Sequence, residues 1–115
     1  DSKGRTMKRG ELIQGPDELA VLVFCGGSGG NGQVIYSRDN AKTWIKSAPD
    51  RGYKFGPLQY YPNACLLKDG SIFSVGVRQR IKNRFGPFGA ETLAMRFRIR
   101  PPEEGEGIDL LPIGE

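Results

Sequence analysis

The sequence predicts an all-β fold of antiparallel strands, and three observations predict it. Short apolar runs rich in Val, Ile, Phe and Tyr recur along the chain. The 17 Gly and 8 Pro in 115 residues fall between those runs, as turn residues do, rather than diluting the whole sequence. No segment carries the 3.6-residue apolar period of an amphipathic helix. In order, residues 1–15 are polar and read as a linker or a peripheral strand. Leu19 to Cys25 is a continuous apolar run and a buried strand. Gly26 to Gly32 is a loop, Gln33 to Ser37 a second strand, Arg38 to Lys42 a polar turn, and Trp44 to Lys46 a short return strand. Residues 47–58, with Pro49, Gly52, Gly56 and Pro57, read as a loop. Tyr60–Leu67 and Ser71–Val77 flank Lys68-Asp69-Gly70, an Asp-Gly hairpin signal in which Gly supplies a positive φ. After a long loop at 78–90, Leu93–Arg100 alternates Met95, Phe97 and Ile99 with Arg96, Arg98 and Arg100, giving one apolar and one cationic face.

Composition excludes several chemistries. Without His there is no Ser-His-Asp or Cys-His relay and no imidazole metal ligand. Two cysteines, Cys25 and Cys65, cannot build a zinc ribbon or a disulfide framework, and both read as buried thiols in apolar strands. No cofactor is expected. No apolar stretch is long enough to span a bilayer, so no membrane partner is expected, and residues 1–15 lack a signal-peptide pattern. The formal net charge is +4. It is unevenly placed: Arg78, Arg80, Lys82, Arg84, Arg96, Arg98 and Arg100 precede an acidic tail, 101–115, that contains Glu103, Glu104, Glu106, Asp109 and Glu115. Such a stretch attracts anions or forms a solvated Arg face closed by the tail. No nucleic-acid module accompanies it, so no nucleic-acid partner is expected.

Ser37-Arg38-Asp39-Asn40-Ala41-Lys42-Thr43-Trp44 resembles the Asp-box, Ser-x-Asp-x-Gly-x-Thr-Trp, of sialidase-like β-propellers. Ser37, Asp39, Thr43 and Trp44 match, and Ala41 replaces the glycine. The Asp39 carboxylate suits the backbone N–H groups of a tight turn, and the hydroxyls serve others. Trp44 is expected to cover the hairpin, and Asn40 to take over the left-handed conformation. Tyr61 to Val75 is similar to the first hairpin of a propeller blade. The resemblance implies four-stranded antiparallel blades of a six-bladed ring. One spans 16–46, with Leu19–Cys25, Gln33–Ser37 and Trp44–Lys46 as its second to fourth strands, and the next spans 59–100. Blades take about 40–50 residues and a ring needs at least four, so the chain supplies about two. It reads as a fragment, a truncated relative, or a protomer that closes by association with copies or with missing blades.

The resemblance also implies a function: a glycoside hydrolase acting on sialic-acid or related terminal sugars, from a family often secreted or periplasmic. By itself the fragment is expected to be inactive. In that family the Asp-box lies away from the catalytic mouth, so ligand-binding loops belong to the opposite face: Gly26–Gly32, Ser47–Gln59 and Arg78–Ala90. They hold Asp50, Arg51, Tyr53, Lys54, Arg78, Arg80, Lys82 and Arg84. Sialidases clamp a sugar carboxylate with three arginines and attack with a Tyr paired to Glu. Arg78, Arg80, Arg51 and Tyr53 are the candidate catalytic residues, and solvated loop charge is the alternative for each. Phe97-Arg98-Ile99 echoes a clamp-arginine segment, but its position is wrong, and Arg98 reads as a strand-face residue. Either Tyr60 or Tyr61 packs inward. A non-catalytic carbohydrate-binding or protein-interaction propeller is the alternative function. A third reading takes Gly27-Ser28-Gly29-Gly30-Asn31-Gly32 as a dinucleotide fingerprint, which requires a helix to follow.

Overall fold

The computed structural model describes residues 7–26, 31–49, 51–58, 60–79 and 90–113. Eight strands form two four-stranded antiparallel meanders. The first sheet runs β1 (Met7–Gln14), β2 (Ala20–Gly26), β3 (Asn31–Ser37), β4 (Tyr53–Leu58), and the second β5 (Tyr60–Leu66), β6 (Ile72–Gln79), β7 (Ala90–Ile99), β8 (Ile108–Leu111). In each sheet every strand pairs with its sequence neighbour, the simplest solution for strands consecutive along the chain.

The first hairpins of the two sheets are equivalent in register. Gly15 N–H donates to Leu19 O at 2.9 Å, and Leu67 N–H donates to Ser71 O at 2.8 Å. The next pairs outward are Gln14–Ala20 and Leu66–Ile72. Both turns require positive φ near their tips: 90° at Gly70, and 56° and 66° at Asp17 and Glu18.

One core lies between the sheets. Ile13, Val21, Val23, Val34, Tyr36 and Phe55 of the first pack against Ile72 and Phe97 of the second, with Ala64, Met95, Ile99 and Ile108 at its margin. Period-2 alternation puts these residues on one face of each sheet, the inner face. At the centre Phe55 meets Phe97 with ring centroids 5.2 Å apart and planes tilted by 37°, a separation within the range that aromatic pairs favour.

Of the two readings of residues 1–15, the peripheral strand is the one present: β1 pairs with β2 at the edge of the first sheet. Four other expectations need correction. Trp44–Lys46 is not the fourth strand: Ile45 makes only a bridge to Tyr36, while β4, inside the expected 47–58 loop, takes the edge. Gly52 explains the entry point, because a Cβ there would lie 2.7 Å from Val34 O. The tail 101–115 is not merely acidic: it makes a 3-10 turn (Pro102–Glu104) and then β8, so the second sheet extends beyond residue 100. Cys65 is exposed rather than buried, because its register partner is Phe73 on the outer face; the Cys25 side chain lies outside the described residues. The dinucleotide reading fails at Asn31–Ser37, where the required helix is strand β3; Gly27–Gly30 lie outside the described residues.

Candidate functional site: the Ser37–Thr43 turn and the seam between the sheets

The turn after β3 is organised by two side chains. Ser37 Oγ donates to Asp39 Oδ1 at 2.7 Å and accepts N–H bonds from Asp39 (3.2 Å) and Ala41 (2.9 Å). Asp39 also accepts from Thr43 N–H at 2.8 Å and from the Thr43 hydroxyl at 2.5 Å. Ser37, Asp39 and Thr43 thus satisfy one another and the backbone of the turn. Trp44 is half-buried and follows them into the return segment. The left-handed conformation is not shifted onto Asn40 alone: Asn40 has φ 63° and Ala41 keeps φ 72°. Because Ala carries a Cβ penalty there that Gly lacks, Ala41→Gly is expected to raise unfolding stability by about 1 kcal/mol in urea denaturation.

Hydrogen bonds from Thr43 and Ser37 hold the Asp39 carboxyl well below the usual range. In the hairpin turn of the second sheet, Asp69 accepts from Ser71 N–H and hydroxyl at 2.9 and 2.6 Å and from Arg96 at 2.6 Å, which lowers it to about 2. Both carboxyls bind protons more tightly in the unfolded chain, so their stabilisation is complete above about pH 4 and fades as pH falls toward 2. Circular dichroism should show an acid transition in that window, and Asp69→Asn should flatten it.

Between the turns runs a seam. Tyr36, fully buried on β3, donates from its hydroxyl to Glu106 Oε1 at 2.5 Å and accepts Gly107 N–H at 2.8 Å. Arg38 lies over the Tyr36 ring, 5.2 Å from its centroid, and donates to Arg100 O at 2.6 Å. The segment between β7 and β8 is thereby clasped to the first sheet. On the outer face of the second sheet Arg98 bonds Asp109 and Glu104, Arg100 bonds Asp109, and Arg96 bonds Asp69 and the Pro112 carbonyl. Arg100 and then Arg98 hold the Asp109 carboxyl below its ordinary value. The acidic tail therefore neutralises Arg98 and Arg100, while Asp69 of the β5–β6 turn neutralises Arg96. A cleft of about 340 Å³ lies along the seam, with Leu19 and Arg38 on one side and Asp69, Arg98, Arg100 and Leu111 on the other.

That cleft places the Asp-box end of the first sheet beside the β5–β6 turn of the second. The ends of β2, β4 and β6 consequently lie at the opposite end of the sheets. The candidate site residues divide between these ends. Arg78 belongs to the last part of β6, in register with Glu91, at the end away from the Asp-box; its side chain lies outside the described residues, as do Arg80, Asp50, Lys82 and Arg84. Arg51 and Tyr53 belong to the β4 edge of the first sheet. Arg51 is exposed and closes a tight turn with Ala48 at the sheet edge. Tyr53 faces inward from β4 and stacks on Tyr36 with centroids 5.9 Å apart. Lys54 is exposed on β4. The side chains of Tyr60 and Tyr61 lie outside the described residues.

The unforeseen pair is Tyr36–Glu106. A phenol bonded to a carboxylate is the grouping that a Tyr nucleophile needs, but burial and the Glu106 bond push Tyr36 up to about 12, away from phenolate formation. Its geometry serves cohesion. The sequence holds no short-range signal for it, since the partners are 70 residues apart. Among the described residues no group of His, Cys, Asp and Glu is arranged to hold a metal, and no helix is long and apolar enough to cross a membrane. No protein-family model, no curated protein and no solved structure matches the chain.

Proposed function

We propose that the two sheets are consecutive blades of a sialidase-like β-propeller acting on acidic terminal sugars, and that this chain supplies scaffold rather than a complete catalytic set. The observation that carries this reading is the turn after β3, where Ser37, Asp39 and Thr43 satisfy one another and the backbone as an Asp-box does. Two adjacent meanders, each a four-stranded antiparallel sheet, are also what successive blades require. Ligand chemistry belongs to the end opposite the Asp-box, around the β2–β3 and β6–β7 connections. The alternative, a non-catalytic glycan-binding propeller, is favoured by the pairing of Arg96, Arg98 and Arg100 with carboxylates, which leaves no described three-arginine clamp.

The test is titration of the isotope-labelled chain with a methyl sialoside and, separately, with a neutral hexoside, followed by amide shifts. Shifts at Gly26, Asn31, Gln79 and Ala90 with the acidic sugar only are expected, together with no release of fluorophore from an aryl sialoside. Absence of shifts at millimolar sialoside, or shifts confined to Ser37–Trp44, would overturn the reading; turnover would replace scaffold by enzyme.

A further inference from the structure

We propose that copies of this chain associate head to tail, the outer face of the first sheet in one copy seating on the outer face of the second sheet in the next. The argument begins from the equivalence of the two hairpins. Because Gly15–Leu19 matches Leu67–Ser71, Gln14 and Ala20 are positionally equivalent to Leu66 and Ile72. Alternation then makes the outer face of the first sheet, with Leu12 and Leu22, equivalent to the face of the second sheet that carries Ala64 and Ile72, which is its inner face. The converse holds as well. The outer face of the second sheet, with Cys65, Phe73 and Val75, is equivalent to the inner face of the first, with Ile13, Val21 and Val23.

The interface inside the molecule thus uses one member of a complementary pair of faces from each sheet and leaves the other member open. The two open faces are the two halves of the same kind of interface, continuous with the one already formed. Exposure agrees. Leu12 is 67% exposed, Leu22, Phe73 and Val75 are only half-buried, and Cys65 is exposed, whereas Ala20, Phe24 and Ile35 on the same face of the first sheet are already covered. Charge agrees too. The first sheet's open face presents Leu12, Leu22 and Gln14, with Lys54 exposed at its β4 edge, while on the second sheet Arg96 and Arg98 are matched by Asp69, Asp109 and Glu104, so an apolar centre is framed by polar groups. Because the two contacting faces differ, the association is heterologous, and it propagates until a ring closes.

The inference is independent of the sugar reading, and its test reads mass alone. Native mass spectrometry and sedimentation of the purified chain, under reducing conditions so that Cys65 cannot crosslink, should show assemblies that grow with concentration. Leu12→Lys and Cys65→Lys, each at an exposed position on one of the two faces, should each give monomers with an unchanged circular dichroism spectrum. Mixed together, they should form a one-to-one pair that grows no further, since each variant retains the face its partner lacks. Leu110→Lys, at an exposed position of edge strand β8, should leave the assembly intact. A wild-type chain that is monomeric at all concentrations, a dimer that survives both face variants, or a mixture that fails to pair would each overturn the proposal without touching the sugar-binding test.

Discussion

Phe97→Ala should lower unfolding stability by about 3–5 kcal/mol, the largest effect expected from a single truncation in this chain. Phe97 has no exposed surface and meets Phe55 across the only described core, so its ring contributes to both sheets at once. Removing it leaves a void between strands that the backbone hydrogen bonds of β6–β7 and β7–β8 prevent from collapsing. Against a typical domain stability of about 5–15 kcal/mol, such a loss moves the urea midpoint far toward zero. The corresponding change on the outer face, Leu12→Ala, removes a similar side chain that is largely in water. It should alter monomer stability by under about 0.5 kcal/mol.

Tyr36→Phe is the second. The ring and its stacking on Tyr53 survive, but the hydroxyl that bonds Glu106 and receives Gly107 N–H is lost. Stability should fall by about 1–3 kcal/mol, because the Gly107 N–H and the carboxylate lose a partner in a partly buried seam. The same hydroxyl predicts an alkaline limit. Its pKa is about 12 in the folded chain and near 10 once unfolded, so the protonated phenol's contribution is complete below pH 10 and is lost as pH rises through 12. Absorbance titration should show one tyrosine ionising late, coincident with unfolding, and Tyr36→Phe should remove that step.

Local chemistry made much of this legible. Leu19–Cys25 and Gln33–Ser37 announce β2 and β3 through β-forming residues bounded by glycine. Asp69-Gly70 announces its hairpin because a positive φ favours Gly, and Gly70 has φ 90°. The equivalent first hairpin escaped notice for the converse reason: Asp17 and Glu18 occupy its left-handed positions without glycine, and polar β1 gains its place only by pairing with β2. Trp44–Lys46 carries strand-like residues, yet β4 took the edge, because Gly52 permits close approach to Val34 O and Phe55 then reaches the core. At the candidate site, Ser37, Asp39 and Thr43 were readable since their bonds join residues at most four apart. The inward placement of Tyr53 against Tyr36 was not, because it depended on which segment formed the fourth strand.

By itself, then, the amino-acid order determined what short-range interactions govern: the all-β class, two of the turns, the Ser37–Asp39–Thr43 bonding and the alternation that sets Arg96, Arg98 and Arg100 apart from Phe97 and Ile99. Only the packing of one sheet on the other decided the rest: that Tyr36 meets Glu106, that the acidic tail becomes an edge strand neutralising Arg98 and Arg100, and which apolar faces are covered. Those contacts join residues far apart in sequence, and their energy comes from excluding water between two surfaces that do not exist until both sheets have formed.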